Sequence, residues 1–179
     1  PMYQGGFIWD YIDQALVKKD GEKEVLGYGG DFTDRPTDYN FCGNGIVYGN
    51  RTPSPKAAEA KALYQNLKLT PEAGQVLVKN ENLFTDTSDR EFVYRILKNG
   101  NQVYETRFDA VVKEGEEKRV PVDLPEEFRN LQAVSRSLTG DRAVQDEYVY
   151  QVSALLKEDT LWAEKGFETD FGELSLIHI

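Results

Sequence analysis

Apolar residues fall into two regimes along this chain. From about residue 64 onward they alternate with polar ones: Leu67 and Leu69; Val76 and Val78; Phe92, Tyr94 and Ile96; Val120 and Val122; then Tyr148, Tyr150, Val152 and Ala154. Alternation with a period of two places one set of side chains on one face of a strand. Arg95 and Lys98 fall on the other face or at the strand end. Asn99-Gly100 separates the third run from Val103, Tyr104 and Phe108, and both residues tolerate the positive φ of a type I′ hairpin turn. Six or seven short strands over about 105 residues predict an immunoglobulin-like antiparallel β-sandwich across residues 64–173. Residues 129–146 are polar and weakly patterned, and read as a long surface loop with at most one helical turn. Residues 174–179 are apolar. They read either as a last edge strand or as a tail foreign to the native protein.

Residues 1–63 behave differently. Phe7 to Ile12 form a continuous apolar run, as a buried parallel strand does. From Lys18 to Asn44 turn chemistry dominates: Asp20-Gly21, Gly29-Gly30-Asp31, Asp34-Arg35-Pro36 and Asn44-Gly45. A loop this long in a compact domain is normally functional or disordered. Its aromatics Tyr28, Phe32, Tyr39 and Phe41 argue against disorder. Ser54-Pro55 then opens a helix, with Ser54 as N-cap, Pro55 in the first turn and an alanine-rich body. Strand, long loop and helix make one βα unit of an α/β fold. The sequence opens on an apolar run at full stride, so the chain is expected to be a piece of a longer protein.

Charge narrows the possible partners. With 21 basic against 31 acidic residues the net charge is −10, which disfavours nucleic acid and anionic membrane, because phosphate binding needs a basic face. No apolar run reaches the length of a membrane span. No charged segment followed by an apolar one opens the chain as a secretory leader would. The single cysteine, Cys42, excludes an internal disulfide and a multi-cysteine zinc site. The single histidine, His178, excludes a histidine metal cluster, and it is assigned no role.

Three features could carry chemistry. Asp10, Asp13, Asp31, Asp34 and Asp38 supply carboxylates of the kind a glycosidase uses in pairs, although aspartates equally satisfy loop N–H groups. Trp9, at a strand end beside the long loop, offers a flat face for a sugar ring; a tryptophan in a strand is otherwise core. Phe41-Cys42-Gly43-Asn44-Gly45 is a small turn whose oxygens could face a hard cation, or could simply satisfy itself.

Four motifs then occur in order: Gly5-Gly6-Phe7-Ile8-Trp9-Asp10-Tyr11-Ile12-Asp13-Gln14, Tyr28-Gly29-Gly30-Asp31-Phe32, Asn40-Phe41-Cys42-Gly43-Asn44-Gly45, and Asn50-Arg51-Thr52-Pro53-Ser54-Pro55 with Glu59-Ala60-Lys61. This succession resembles the end of the catalytic barrel in glycoside hydrolase family 2, the family of the large bacterial β-galactosidases. The remainder resembles the immunoglobulin-like domain that follows that barrel, through Asn82-Leu83-Phe84-Thr85-Asp86 and Leu161-Trp162-Ala163-Glu164-Lys165-Gly166. Tyr11 and Gly43 depart from the residues common in the family, and the stretch 129–146 is longer than expected.

The resemblance implies a (β/α)8 TIM barrel whose eighth strand is about 6–12 and whose last helix is about 54–65. Active sites of such barrels lie at the C-terminal ends of the strands. By the same resemblance Trp9 lines a galactose pocket. The Phe41 main-chain oxygen and the Asn44 side-chain oxygen hold a sodium ion that touches the sugar's 6-hydroxyl. Family members retain anomeric configuration through two glutamates. Those glutamates, the magnesium ligands and the aspartate completing the sodium site are expected on polypeptide before this sequence, so the chain alone is expected to be inactive. The parent is expected to be cytoplasmic, or periplasmic, and homo-oligomeric. A non-catalytic sandwich module for scaffolding or carbohydrate contact is the competing reading. Glucuronidase and mannosidase are weaker alternatives within the family.

Overall fold

The structure is a computed structural model that describes residues 2, 4–37, 41–131 and 146–176. The chain folds as two units, Pro1–Tyr64 and Gln65–Ile179.

The second unit is an antiparallel sandwich of two sheets. Strands β3 (Leu67–Glu72), β4 (Gln75–Asn80) and β7 (Glu117–Pro121) form one sheet in the order β3-β4-β7. Strands β5 (Arg90–Lys98), β6 (Asn101–Phe108), β8 (Tyr148–Leu156) and β9 (Glu168–Ser175) form the other, ordered β6-β5-β8-β9. The expected alternation sets the core: Leu67, Leu69, Val76, Val78, Phe92, Tyr94, Ile96, Val120, Val122, Tyr150, Val152 and Ala154 are all buried. Phe92 stacks on Phe108 with ring centroids 5.3 Å apart. The buried tyrosines bring their hydroxyls to backbone acceptors: Tyr94 donates to the Glu72 carbonyl at 2.8 Å and Tyr150 to the Phe128 carbonyl at 2.7 Å. That satisfies polar tips which would otherwise oppose burial. Asn99 and Gly100 adopt φ of 50° and 77° and close the β5–β6 hairpin from Lys98 to Asn101 as expected.

The last strand was not placed correctly by pattern. It begins at Glu168, well before the apolar tail, and Leu174 lies within it. Its sequence Glu-Thr-Asp-Phe-Gly-Glu-Leu-Ser does not alternate. Two tertiary features fix it instead. The buried Asp170 carboxylate accepts the Leu67 amide at 2.9 Å. At Gly172 a Cβ would come within 1.8 Å of the Leu69 carbonyl oxygen, so only glycine allows β9 and β3 this close. The polar stretch 129–146 follows a single turn of helix, α2 (Glu126–Arg129); most of it, residues 132–145, lies outside the described residues.

In the first unit, helix α1 (Pro55–Tyr64) stands where it was expected. The Ser54 hydroxyl caps the Lys56 amide at 3.3 Å, and Pro55 occupies the first position. Two expectations fail. The run Phe7–Ile12 is not a strand, and Phe7, Ile8 and Trp9 are exposed. An apolar strand needs ladder partners and covered faces, and among the described residues Asp10–Ile12 have backbone partners whereas Phe7–Trp9 have none. The region Lys18–Asn44 is not all loop, since β1 (Leu16–Asp20) and β2 (Lys23–Gly27) form a hairpin in register from Leu16↔Gly27 to Asp20↔Lys23. Its apolar residues come as adjacent pairs, Leu16-Val17 and Val25-Leu26, which hide the period of two.

Candidate functional site

The first unit is organised by the approach of residues 10–14 to residues 42–47. Asp10 N–H donates to the Asn44 carbonyl (3.0 Å), Ile46 N–H to Asp10 (3.0 Å), Val47 N–H to Tyr11 (3.0 Å) and Asp13 N–H to Val47 (2.9 Å). These four bonds follow the parallel pattern, and Gln14 N–H adds a fifth to the Cys42 carbonyl at 3.0 Å. The two segments meet so closely at Gly45 that a Cβ there would lie 2.1 Å from the Asp13 nitrogen. The Asp13 carboxylate accepts the Gly45 N–H at 2.6 Å, which ties the crossing a second time. Ser54 extends the network: its hydroxyl donates to the Ile46 carbonyl at 2.6 Å while it caps α1.

This scaffold brings the predicted site residues onto adjacent backbone. Trp9 is 73% exposed and immediately precedes Asp10, the residue bonded to Asn44. The Trp9–Asp10 peptide is cis. Phe41 is exposed and Asn44 half-buried. The Asn44 main-chain oxygen already accepts one hydrogen bond, from Asp10. The Asn44 side-chain nitrogen is buried and has no hydrogen-bond partner. Asn44 and Ile46 also line a cavity of about 390 Å³ whose other walls are Ile8 and the α1 residues Lys56, Glu59, Ala60, Leu63 and Tyr64. The Asn44 amide nitrogen is thus a buried donor for which the described residues supply no acceptor.

The described loop aspartates accept backbone amides. Asp10 accepts its neighbour Tyr11's amide at 2.5 Å, Asp31 that of Tyr28 at 3.1 Å, and Asp34 that of Gly30 at 2.8 Å. The Gly30 hydrogen bond, with other backbone amides and Arg35, holds the Asp34 carboxyl below the usual carboxylate range. No group of three or more metal-ligating His, Cys, Asp or Glu side chains occurs among the described residues. Asp38 and His178 lie outside them. What pattern reading missed is the clamp itself. Asp13 and Ser54 act across 32 and 8 residues respectively, and such reaches leave no local signature.

Two family models match successive parts of the chain. The model for glycosyl hydrolases family 2, TIM barrel domain, matches residues 1–69, and that for beta-galactosidase, domain 4, matches residues 76–176. A beta-galactosidase of Halalkalibacterium halodurans is 52% identical over 174 residues, covering 97% of this chain and 16% of the relative. Those of Clostridium acetobutylicum and Streptococcus thermophilus are 47% and 43% identical over 174 residues, covering 96% and 97% of this chain and 18% and 16% of themselves. The chain thus spans about a sixth of the length of these relatives.

Proposed function

The chain belongs to glycosyl hydrolase family 2, and from that premise we propose that it is part of a β-galactosidase that hydrolyses terminal β-D-galactosides with retention. Residues 6–12 become the last strand of a TIM barrel only when the rest of the parent supplies ladder partners for Phe7–Trp9, and α1 is its last helix. The sandwich is the immunoglobulin-like domain that follows. Trp9 is the platform for the galactose ring. Its indole face covers the apolar C–H face of the sugar, and its N–H remains free to bond a hydroxyl. The two glutamates that perform the displacement, and the magnesium ligands, are carried by other parts of the parent.

Phe41 and Asn44 are the sodium ligands contributed by this chain. The donors fit a hard monovalent cation, because a main-chain carbonyl and a side-chain amide are neutral oxygens. The buried, unpartnered amide of Asn44 is the observation that carries this assignment; the O and N of an amide exchange by a flip of the side chain. Bound there, a monovalent cation would supply an electrostatic anchor for a sugar hydroxyl. The chain's own residues do the positioning: the four-bond pairing of 10–13 with 44–47 fixes Asn44 relative to the backbone that carries Trp9.

A graft tests this. The chain replaces the matching 174 residues of the Halalkalibacterium halodurans relative. The chimera should hydrolyse a chromogenic β-galactoside, and the 179-residue chain alone should not. Trp9→Ala in the chimera should raise KM, and Asn44→Ala should weaken the dependence of KM on sodium. A chimera that prefers β-glucuronides or β-mannosides, or unchanged kinetics in both variants, would overturn the reading.

A further inference from the structure

The sandwich exposes large apolar side chains at one end. Arg90 at the start of β5 pairs with Leu156 at the end of β8, so the β4–β5 and β8–β9 connections leave the sandwich together. Lys157 bridges them: its N–H donates to the Asp89 carbonyl at 3.1 Å and its ammonium to the Ser88 carbonyl at 3.0 Å. The first connection presents Leu83 and Phe84, the latter 90% exposed. The second presents Leu161, fully exposed, and Trp162, 65% exposed, whose ring meets Phe167 edge-on at 5.5 Å.

Neither connection is loose. Buried Asn80 holds the first: its amide donates to the Thr85 and Val112 carbonyls at 2.8 and 3.1 Å, and its oxygen accepts the Asn82 amide at 3.0 Å. The second is tied by Thr160 and Asp159. The Thr160 hydroxyl accepts the Ala163 amide at 3.0 Å, the Asp159 carboxylate accepts the Lys165 amide at 2.8 Å, and Gly166 N–H returns to the Leu156 carbonyl at 2.8 Å. Ordering a loop in order to hold Leu161 in water has little folding benefit, and Trp162 gains only its edge-on contact with Phe167. Rigid exposed apolar clusters mark contact surfaces.

We propose that this end of the sandwich is an intramolecular docking surface, covered in the complete protein by another domain of the same polypeptide that carries a basic rim. The inference rests on the reading that the chain is one part of a longer family 2 protein. Two observations choose that occupant. Five sixths of the relatives' length lies outside the matched segment, and the sandwich matches a domain numbered fourth. Beside the apolar residues a cavity of about 330 Å³ is rimmed by Asp89, Glu158 and Asp159. Lys157 on that rim is already paired with Asp109 at 2.7 Å and Asp89 with Arg90, so Glu158 and Asp159 are the rim acids left without an ion pair among the described residues. A covering surface therefore needs Lys or Arg opposite this rim and apolar groups opposite Trp162.

Hydroxyl-radical footprinting read by mass spectrometry tests the proposal on the 179-residue chain and on the chimera. Trp162 and Phe84 should be oxidised in the chain and protected about fivefold or more in the chimera, in proportion to the area covered. Phe84→Ser with Leu161→Ser should leave the melting temperature of the chain unchanged and lower that of the chimera. Equal oxidation in both contexts would overturn the proposal. So would protection that grows with concentration in the chain alone, since it would make the occupant a second copy. Galactosidase activity is measured on the same samples. An active chimera with Trp162 exposed removes this inference and keeps the proposed function; an inactive one with Trp162 protected does the reverse.

Discussion

Asn80 offers the sharpest test of how the sandwich builds its loops. It is fully buried at the end of β4. Besides its two donated bonds, its side-chain oxygen accepts both the amide and the side-chain nitrogen of Asn82, at 3.0 and 2.8 Å. Asn80→Ala strips the partner from the Thr85 carbonyl and one of two from the Val112 carbonyl, which keeps the Thr87 amide at 3.2 Å. Thr85 is exposed, so water can reach its carbonyl, and the two lost donations together cost about 1 kcal/mol. Losing the anchor on Asn82 adds about 1 kcal/mol more. Water can restore the Asn82 bonds because that residue is only half-buried, so the net loss should be about 2 kcal/mol rather than the sum over all four. For a domain of this size that lowers the melting temperature by roughly 8 °C, at about 4 °C per kcal/mol. Urea unfolding followed by tyrosine fluorescence measures it, with Lys79→Ala, an exposed neighbour on the same strand, as control. Hydrogen exchange should locate the accompanying increase in opening at residues 82–87. A loss under about 1 kcal/mol, or an equal effect in the control, would refute the claim that Asn80 organises the loop.

Two other outcomes follow from the geometry. Gly45→Ala should break the crossing of residues 10–13 with 44–47, because the new methyl meets backbone at 2.1 to 2.5 Å; a loss of about 2 kcal/mol makes the Asp13 and Val47 amides exchange roughly 30-fold faster, and unchanged protection there would count against the clamp. Burial raises the Tyr94 phenol well above its ordinary value and raises Tyr150 as well. The native state therefore keeps these protons after the unfolded chain has begun to release them near pH ~10. Stability should be full below that pH and fall as pH rises beyond it. Tyr94→Phe should make that alkaline decline shallower while losing about 1 kcal/mol at neutral pH with the bond to Glu72, and a decline of unchanged steepness would reject the burial argument.

The sandwich was legible in the sequence wherever strands bury one face. Val76, Val78, Phe92, Tyr94, Ile96, Tyr150 and Val152 point inward because a period of two leaves no alternative once one face is covered. The Asn99-Gly100 turn was legible because only residues tolerant of positive φ close a two-residue hairpin. Strand β9 was not, since what holds it is Asp170 on the Leu67 amide and the absence of a side chain at Gly172. In the first unit the helix start at Ser54-Pro55 could be read from local chemistry, whereas the β1–β2 hairpin was concealed by paired apolar residues. Trp9 and Asn44 were singled out by motif order. The five backbone bonds that bring their segments together follow from tertiary contact and are invisible to any local pattern.

The two units differ in how they balance polar and apolar groups, and that difference bears on function. The sandwich buries its apolar faces and pairs the polar groups it buries, with Asn80, Thr87, Ser153 and Asp170 all hydrogen-bonded. The first unit satisfies its backbone locally but leaves Phe7, Ile8, Trp9, Leu63 and Tyr64 facing water, and α1 has no buried residue. A segment shaped only for its own stability would not spend a glycine with no room for a Cβ, a half-buried carboxylate contact and a capping serine on fixing a turn while leaving its largest side chains bare. The clamp makes sense if position is what matters there. It sets the backbone of residues 9–13 and 44–47 in one geometry regardless of what later covers the apolar faces, which is what the proposed roles of the Trp9 indole and the Asn44 amide require.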